Sequence, residues 1–194
     1  MTKLFLKKLN ILKQHGIENK IPNISYEIGM FLNMIIKNKN IKNVLEIGTA
    51  NGYSTIWMAE ALKATGGMIT TFEISIPSYK EAQENFKKFK LNKYIDSIFE
   101  DFLKEDKILK NKNIKKFDLI FIDGQKNKTL DFFNKAKKLL KDGGIIIVDD
   151  VIKFKNKMSE FYKYIEKQNK FYYIILPIDI DDGIMMIINK KLHK

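Results

Sequence analysis

Carboxylates recur at repeated places in this chain, and their spacing defines the chemistry open to it. Asp123 follows the apolar run Phe117 to Ile122, and the pair Asp149-Asp150 follows the apolar run Ile145 to Val148. If those runs are neighbouring strands, their ends lie about 5 Å apart. Three carboxylates that close repel one another unless a cation or a proton intervenes. An all-oxygen donor set suits Mg²⁺ first, then Mn²⁺ or Ca²⁺, rather than zinc or copper. The competing use of Asp149 and Asp150 is to cap the next helix, with no metal.

A second constellation lies in Val44-Leu45-Glu46-Ile47-Gly48-Thr49-Ala50-Asn51-Gly52-Tyr53-Ser54-Thr55. It reads as a buried strand, a glycine turn and a helix start, a form that brings backbone N–H groups up to a bound ligand. Glu46 is out of place in an apolar strand, because a buried carboxylate is costly unless something pairs with it. Glu73 ends the next apolar run, 21 positions after Gly52. An acidic residue there can take both hydroxyls of a ribose. The turn lacks a complete G-x-G-x-x-G, so a dinucleotide is less well supported than another nucleotide-type cofactor.

Elements of the right kind must position these groups. Residues 3–14 and 25–38 read as amphipathic helices, the second capped by Asn23 or Ser25. From Val44 onward the pattern alternates. Strands are expected at 43–48, 68–74, 94–99, 117–122 and 145–148, with helices at 53–64, 78–90, 128–140 and 155–168. Thr65-Gly66-Gly67 closes the first of these helices. Two final strands, 171–176 and 184–189, have no helix between them, and Asp182-Gly183 is a hairpin signal. Such alternation specifies a mostly parallel sheet with helices on both faces and an antiparallel pair closing it. Ligands then bind outside the carboxyl ends of the strands. Glu46, Glu73, Asp101, Asp123, Asp149 and Asp150 all fall on that rim.

Composition sets the outer bounds. The 194 residues suffice for one domain with a sizeable core, with 1–40 as a helical lead-in and 41–190 as the main body. There is no cysteine, which excludes disulfides and thiolate chemistry. No apolar run approaches the ~20 residues of a membrane span, so a cytoplasmic protein without a membrane partner is expected. The formal charge is +12, and all 35 basic residues are lysine. Lysine meets phosphates as a point charge but lacks the planar fork that reads base edges. A general lysine bias accounts for that charge more simply than a nucleic-acid surface does.

Glu46-Ile47-Gly48-Thr49 with Gly52-Tyr53-Ser54 resembles motif I of the class I S-adenosylmethionine-dependent methyltransferases. More narrowly, the chain resembles the metal-dependent O-methyltransferases of the catechol and caffeoyl-CoA type. The likeness continues through Phe121-Ile122-Asp123-Gly124-Gln125-Lys126, Gly143-Gly144-Ile145 to Asp150, and Leu176-Pro177 to Gly183. It implies a Rossmann-like methyltransferase fold: a seven-stranded, mostly parallel sheet with an antiparallel C-terminal edge strand and helices on both faces. It also implies that Glu46, Gly48, Thr49, Gly52, Tyr53, Ser54, Glu73, Ile74, Asp101 and Asp123 hold S-adenosylmethionine. Glu46 would meet the cofactor's ammonium or order the loop, and Glu100 competes with Asp101 for the adenine amino group. Asp123, Asp149 and Asp150 would hold the divalent cation. The family has Asp-Asn where this chain has Asp149-Asp150. Asp123 and Lys126 would be catalytic, with Lys126 as a general base whose pKa a neighbouring cation lowers.

The leading function is thus methyl transfer to a hydroxyl of a small acceptor with vicinal oxygens. The nearest alternative applies the same chemistry to a hydroxylated wobble uridine in tRNA. A binding protein that keeps S-adenosylmethionine without transfer is a third reading, and an aminopropyltransferase a fourth. The resemblance further implies a homodimer. His15 and His193 are read as isolated surface residues, Trp57 and Met58 as core, and Asp179, Asp181 and Asp182 as a hairpin turn rather than a second metal site.

Overall fold

The computed structural model describes residues 1–104, 107–111 and 116–190. Two helices lead in. α1 (Lys3–Glu18) starts at Thr2, whose hydroxyl accepts from the Phe5 N–H. It runs past the expected stop at residue 14. α2 (Tyr26–Asn38) is capped by Ser25, which settles the choice against Asn23. It packs closely on the next helix, since a Cβ at Gly29 would meet the Trp57 ring at 2.5 Å.

The alternating pattern then unfolds as expected. β1 (Asn43–Ile47) precedes α3 (Tyr53–Thr65), which ends at Gly66 with φ 72°. β2 (Met68–Glu73) and α4 (Ile76–Lys88) follow, with Ser75 as cap and Pro77 in the first turn. β3 (Ile95–Phe99), the short α5 (Ile108–Asn111), β4 (Phe117–Ile122) and α6 (Thr129–Ala136) come next. β5 (Leu140–Val148), α7 (Ser159–Glu166), β6 (Phe171–Leu176) and β7 (Ile184–Asn189) complete the described fold.

Two further helices differ from the sequence pattern at their ends. The helix expected over 128–140 is α-helical only to Ala136. Lys137–Leu139 form a 3₁₀ turn, and β5 already begins at Leu140. Leu140 pairs with Phe117, and the register shifts before Leu119 pairs with Ile145. Sheet pairing thus claims apolar residues that also fit a helical stripe. Lys155–Met158 form a 3₁₀ turn ahead of α7.

The sheet order is β3-β2-β1-β4-β5-β7-β6. All pairings from β3 to β5 are parallel, and β7 is antiparallel to both β5 and β6. The closing antiparallel pair therefore forms one margin, with β6 outermost and the C-terminal strand β7 one place in. Successive strand residues alternate between two cores. Leu119 and Phe121 pack with α1 to α4 on one face, whereas Ile120 and Ile122 pack with α5 to α7 on the other. Trp57 and Met58 are fully buried in the first core, as expected. No helix among the described residues is long and apolar enough to cross a membrane.

This topology fixes the site. The chain order reverses at β1, which lies between β2 and β4, and ligands of open α/β sheets bind at such a switch point. The residue after each central strand extends the ladder: the Gly48 N–H donates to Phe72, Asp123 to Ile47 and Asp149 to Ile122. Gly48, Asp123 and Asp149 are thereby set side by side along the carboxyl rim.

Candidate active site

The glycine turn after β1 needs its glycines. Gly48 has φ 99°, and a Cβ there would lie 2.3 Å from the Asp123 carbonyl oxygen. Gly52 has φ 86° and abuts the Phe86 ring of α4. Glu73 braces the turn from β2: its Oε2 accepts from the Ala50 N–H at 2.8 Å, and its Oε1 from Ile74 and Ser75.

A cavity of about 380 Å³ opens beside this turn. Gly48, Thr49, Ala50, Ser54, Glu73, Ile74, Glu100, Asp101 and Asp123 line it, with Phe72, Phe102 and Phe132 as apolar wall. Seven of the ten expected cofactor residues are thus brought together around one space. Glu100 and Asp101 both reach it, so the sequence's ambiguity between them persists in the structure.

Glu46, Gly52 and Tyr53 do not line that cavity. Glu46 is fully buried beneath the turn. Its carboxylate accepts from Ser54 at 2.6 Å, Thr55 at 2.5 Å and Thr71 at 2.7 Å. Burial pushes its pKa up to about 7 against those hydrogen bonds. Of the two roles expected for Glu46, the structure shows the ordering one, made through side-chain hydroxyls. Tyr53 packs edge-on against Trp57, with ring centroids 6.5 Å apart.

The carboxylate cluster forms as the spacing predicted. Asp123, Asp149 and Asp150 each offer an oxygen within 4.8 Å of the others. Asp149 is buried, and Asp150 sits at φ 60°, a left-handed conformation that Asn and Asp tolerate best among non-glycine residues. Burial raises the pKa of all three, most strongly at Asp149; repulsion from Asp123 adds to it at Asp149 and Asp150, and repulsion from Asp182 at Asp123. Such crowding fits an oxygen-seeking cation. A second cavity of about 460 Å³ borders the same cluster. Asp123, Lys126, Asp150 and the segment Pro22-Asn23-Ile24 border both cavities.

The O-methyltransferase family model matches residues 2–190. The chain belongs to the O-methyltransferase family. A catechol O-methyltransferase of Niastella koreensis is 34% identical over 130 residues, which are 67% of this chain and 58% of that protein. Caffeoyl-CoA O-methyltransferase 1 of Arabidopsis thaliana is 30% identical over 142 residues, 68% of this chain and 51% of that one. The chain thus spans between half and three fifths of the length of these curated relatives. The solved O-methyltransferase of Bacillus cereus, in complex with S-adenosylhomocysteine, superposes with a TM-score of 0.83 at 27% identity. That match covers 97% of this chain and 92% of the other.

Two residues of this O-methyltransferase-family chain have partners that the sequence does not show. The lowered pKa expected of Lys126 is tied to a neighbouring cation, and its protein neighbours act in the opposite sense. Its Nζ lies 2.6 Å from both Asp123 Oδ1 and Asp150 Oδ2. Burial alone would lower its pKa, but the two carboxylates outweigh burial and raise it. His15 is exposed, as expected, and its Nε2 lies 3.1 Å from Glu81 of α4. His193 lies outside the described residues.

Sequence reasoning also missed parts of the site. The apolar wall of Phe72, Phe102 and Phe132 carries no motif, because core and pocket aromatics look alike in sequence. Asp182 was read as a turn residue, and the structure agrees in part. Its Oδ1 accepts from Ile152, Lys153 and Gly183, tying the β6–β7 hairpin to the loop after β5. Asp179, Asp181 and Asp182 also line the second cavity.

Proposed function

We propose that this chain is an S-adenosylmethionine-dependent O-methyltransferase acting on a hydroxyl of a small acceptor with vicinal oxygens. A divalent cation, Mg²⁺ first among candidates, would be held by Asp123, Asp149 and Asp150. The observation that carries this reading is the position of the carboxylate cluster between two cavities that share Asp123, Lys126 and Asp150. A donor in the first cavity and an acceptor in the second would meet across that shared wall. The S-adenosylhomocysteine bound by the Bacillus cereus relative supports the identity of the donor.

The residues present fit both groups. In the first cavity, Gly48 leaves the turn's backbone uncovered, and Glu73 and Asp101 offer carboxylates to the ribose and adenine. Phe72, Phe102 and Phe132 supply an apolar surface that keeps water from the transferring centre. The three carboxylates supply hard oxygen donors. When bound, S-adenosylmethionine supplies an electrophilic methyl group, and the cation supplies Lewis-acid stabilisation of an ionised hydroxyl. The chain's own part is orientation, which can contribute several kcal/mol on the order of 7 in well-aligned cases. Lys126 pairs with Asp123 and Asp150 as an ammonium; to serve as general base it would first release a proton to solvent, which a neighbouring cation would favour, and its neutral Nζ would then take the acceptor's proton.

A tRNA acceptor draws support from the +12 charge. The second cavity weighs against it, because among the described residues six aspartates line it against two lysines, Lys126 and Lys153. Phosphates would enter an acidic mouth. The test is methyl transfer from labelled cofactor into cell extract, split into small-molecule and RNA fractions, with and without chelator. Label in the small-molecule fraction, abolished by chelator, is expected. Label in RNA would favour the tRNA reading, and label in neither fraction would leave only a binding protein.

A further inference from the structure

α1 is remote from the sheet rim in sequence, yet it sends one cation to the site. Lys13 is partly buried, and its Nζ donates to two successive carbonyls, Asn23 at 2.8 Å and Ile24 at 2.7 Å. It also stands 5.6 Å from the centroid of the Tyr53 ring, at the first residue of α3. Asp179, Asp149 and Glu27 attract it, although burial pulls its pKa down.

Those two carbonyls belong to a segment with a particular position. Pro22, Asn23 and Ile24 border both cavities. The segment lies between α1 and α2 and has no helix or strand of its own to fix its backbone. Ile24 is buried, so its carbonyl would be costly to leave unpaired. A charge-assisted hydrogen bond to each carbonyl is a strong local restraint.

We propose that Lys13 is a positioning residue that holds Pro22-Asn23-Ile24 as the common wall of the donor and acceptor cavities. It touches neither ligand and acts through the segment's backbone. The same cation, set over Tyr53, ties that wall to the helix opened by the glycine turn. This role rests on the assignment of the first cavity to S-adenosylmethionine.

The test is calorimetric binding of S-adenosylhomocysteine to the wild-type protein and to Lys13→Met, Lys13→Arg and Lys7→Met. Lys13→Met keeps the stem and removes the ammonium. It is expected to weaken binding about tenfold, the scale of one charge-assisted hydrogen bond. Lys13→Arg should recover most of that loss. Lys7→Met, on an exposed part of α1, controls for lost charge and should bind as wild type. Far-UV circular dichroism and thermal melts establish which variants are folded. Should Lys13→Met fail to fold, Lys13→Ala takes its place: binding about tenfold weaker than wild type in a folded Lys13→Ala supports the role, and binding equal to wild type overturns it. A folded Lys13→Met binding within twofold of wild type overturns the proposal outright. No binding by the wild-type protein overturns the cofactor assignment instead.

Discussion

Glu46 shows how a buried carboxylate can order the turn beside a cavity. Three hydroxyls, from Ser54, Thr55 and Thr71, converge on its buried carboxylate. They fix the start of α3 against β1 and β2, and so the turn between them. Its pKa is raised to about 7 from 4.5. The folded state therefore holds this proton more tightly than the unfolded chain does. Stability from this group is full below about pH 4.5 and is lost as pH rises to about 7, a loss of about 3 kcal/mol by linkage. Denaturant titrations between pH 4.5 and 8 should show stability falling across that window. Glu46→Gln should reduce the slope by about one proton, the residue of the slope coming from Asp123, Asp149 and Asp150, whose pKa values are raised in the same sense. Asp150 belongs to the same scale. At φ 60° it occupies a conformation that asparagine also tolerates, and asparagine keeps one oxygen donor. Asp150→Asn is expected to retain turnover within about tenfold in steady-state assays with Mg²⁺, while Asp123→Asn, which removes a charge bordering both cavities, is expected to lose about a hundredfold.

At the scale of elements, the sequence was informative where local signals and tertiary packing agree. Gly48 and Gly52, the apolar strands and the acidic residue after each strand specified a parallel sheet and its ligand-bearing rim. The parallel pairing of β4 with β5 then brought Asp123 beside Asp149. The helix end near Leu140 was not legible, because sheet pairing with Phe117 decides it rather than any local stop signal. The state of Lys126 was hidden for a similar reason. It depends on carboxylates from two different strands meeting one ammonium, and chain spacing gives only one of them. The turn after β1 gives the test of this level. Gly48→Ala combines a positive φ with a Cβ 2.3 Å from backbone. It should cost on the order of 3 kcal/mol, or a fall in Tm of roughly 6–12 °C. Gly143 has φ 73° but open space around it, so Gly143→Ala should cost about 1 kcal/mol. Equal melting temperatures for the two variants would contradict the close approach of the β1 turn to Asp123.

The whole molecule separates its charges. The chain carries +12 overall, yet the aspartates gather where strands β4 and β5 and the β6–β7 hairpin meet. Net charge and the local charge of the site therefore point in opposite directions, since the lysines are spread along the chain and the site is acidic. The same concentration of carboxylates is what calls for a cation. Lys13 extends the arrangement to the lead-in helices, linking α1 to a wall shared by both cavities. The central claim is that Asp123, Asp149 and Asp150 hold a divalent cation on which methyl transfer depends. The most direct measurement is transfer of labelled methyl from S-adenosylmethionine to catechol by the purified protein, after exhaustive chelation and then along a Mg²⁺ titration. The account predicts that chelation abolishes transfer, that Mg²⁺ restores it saturably, and that Asp149→Ala is not restored at any Mg²⁺ concentration. Transfer that persists unchanged after chelation would contradict it.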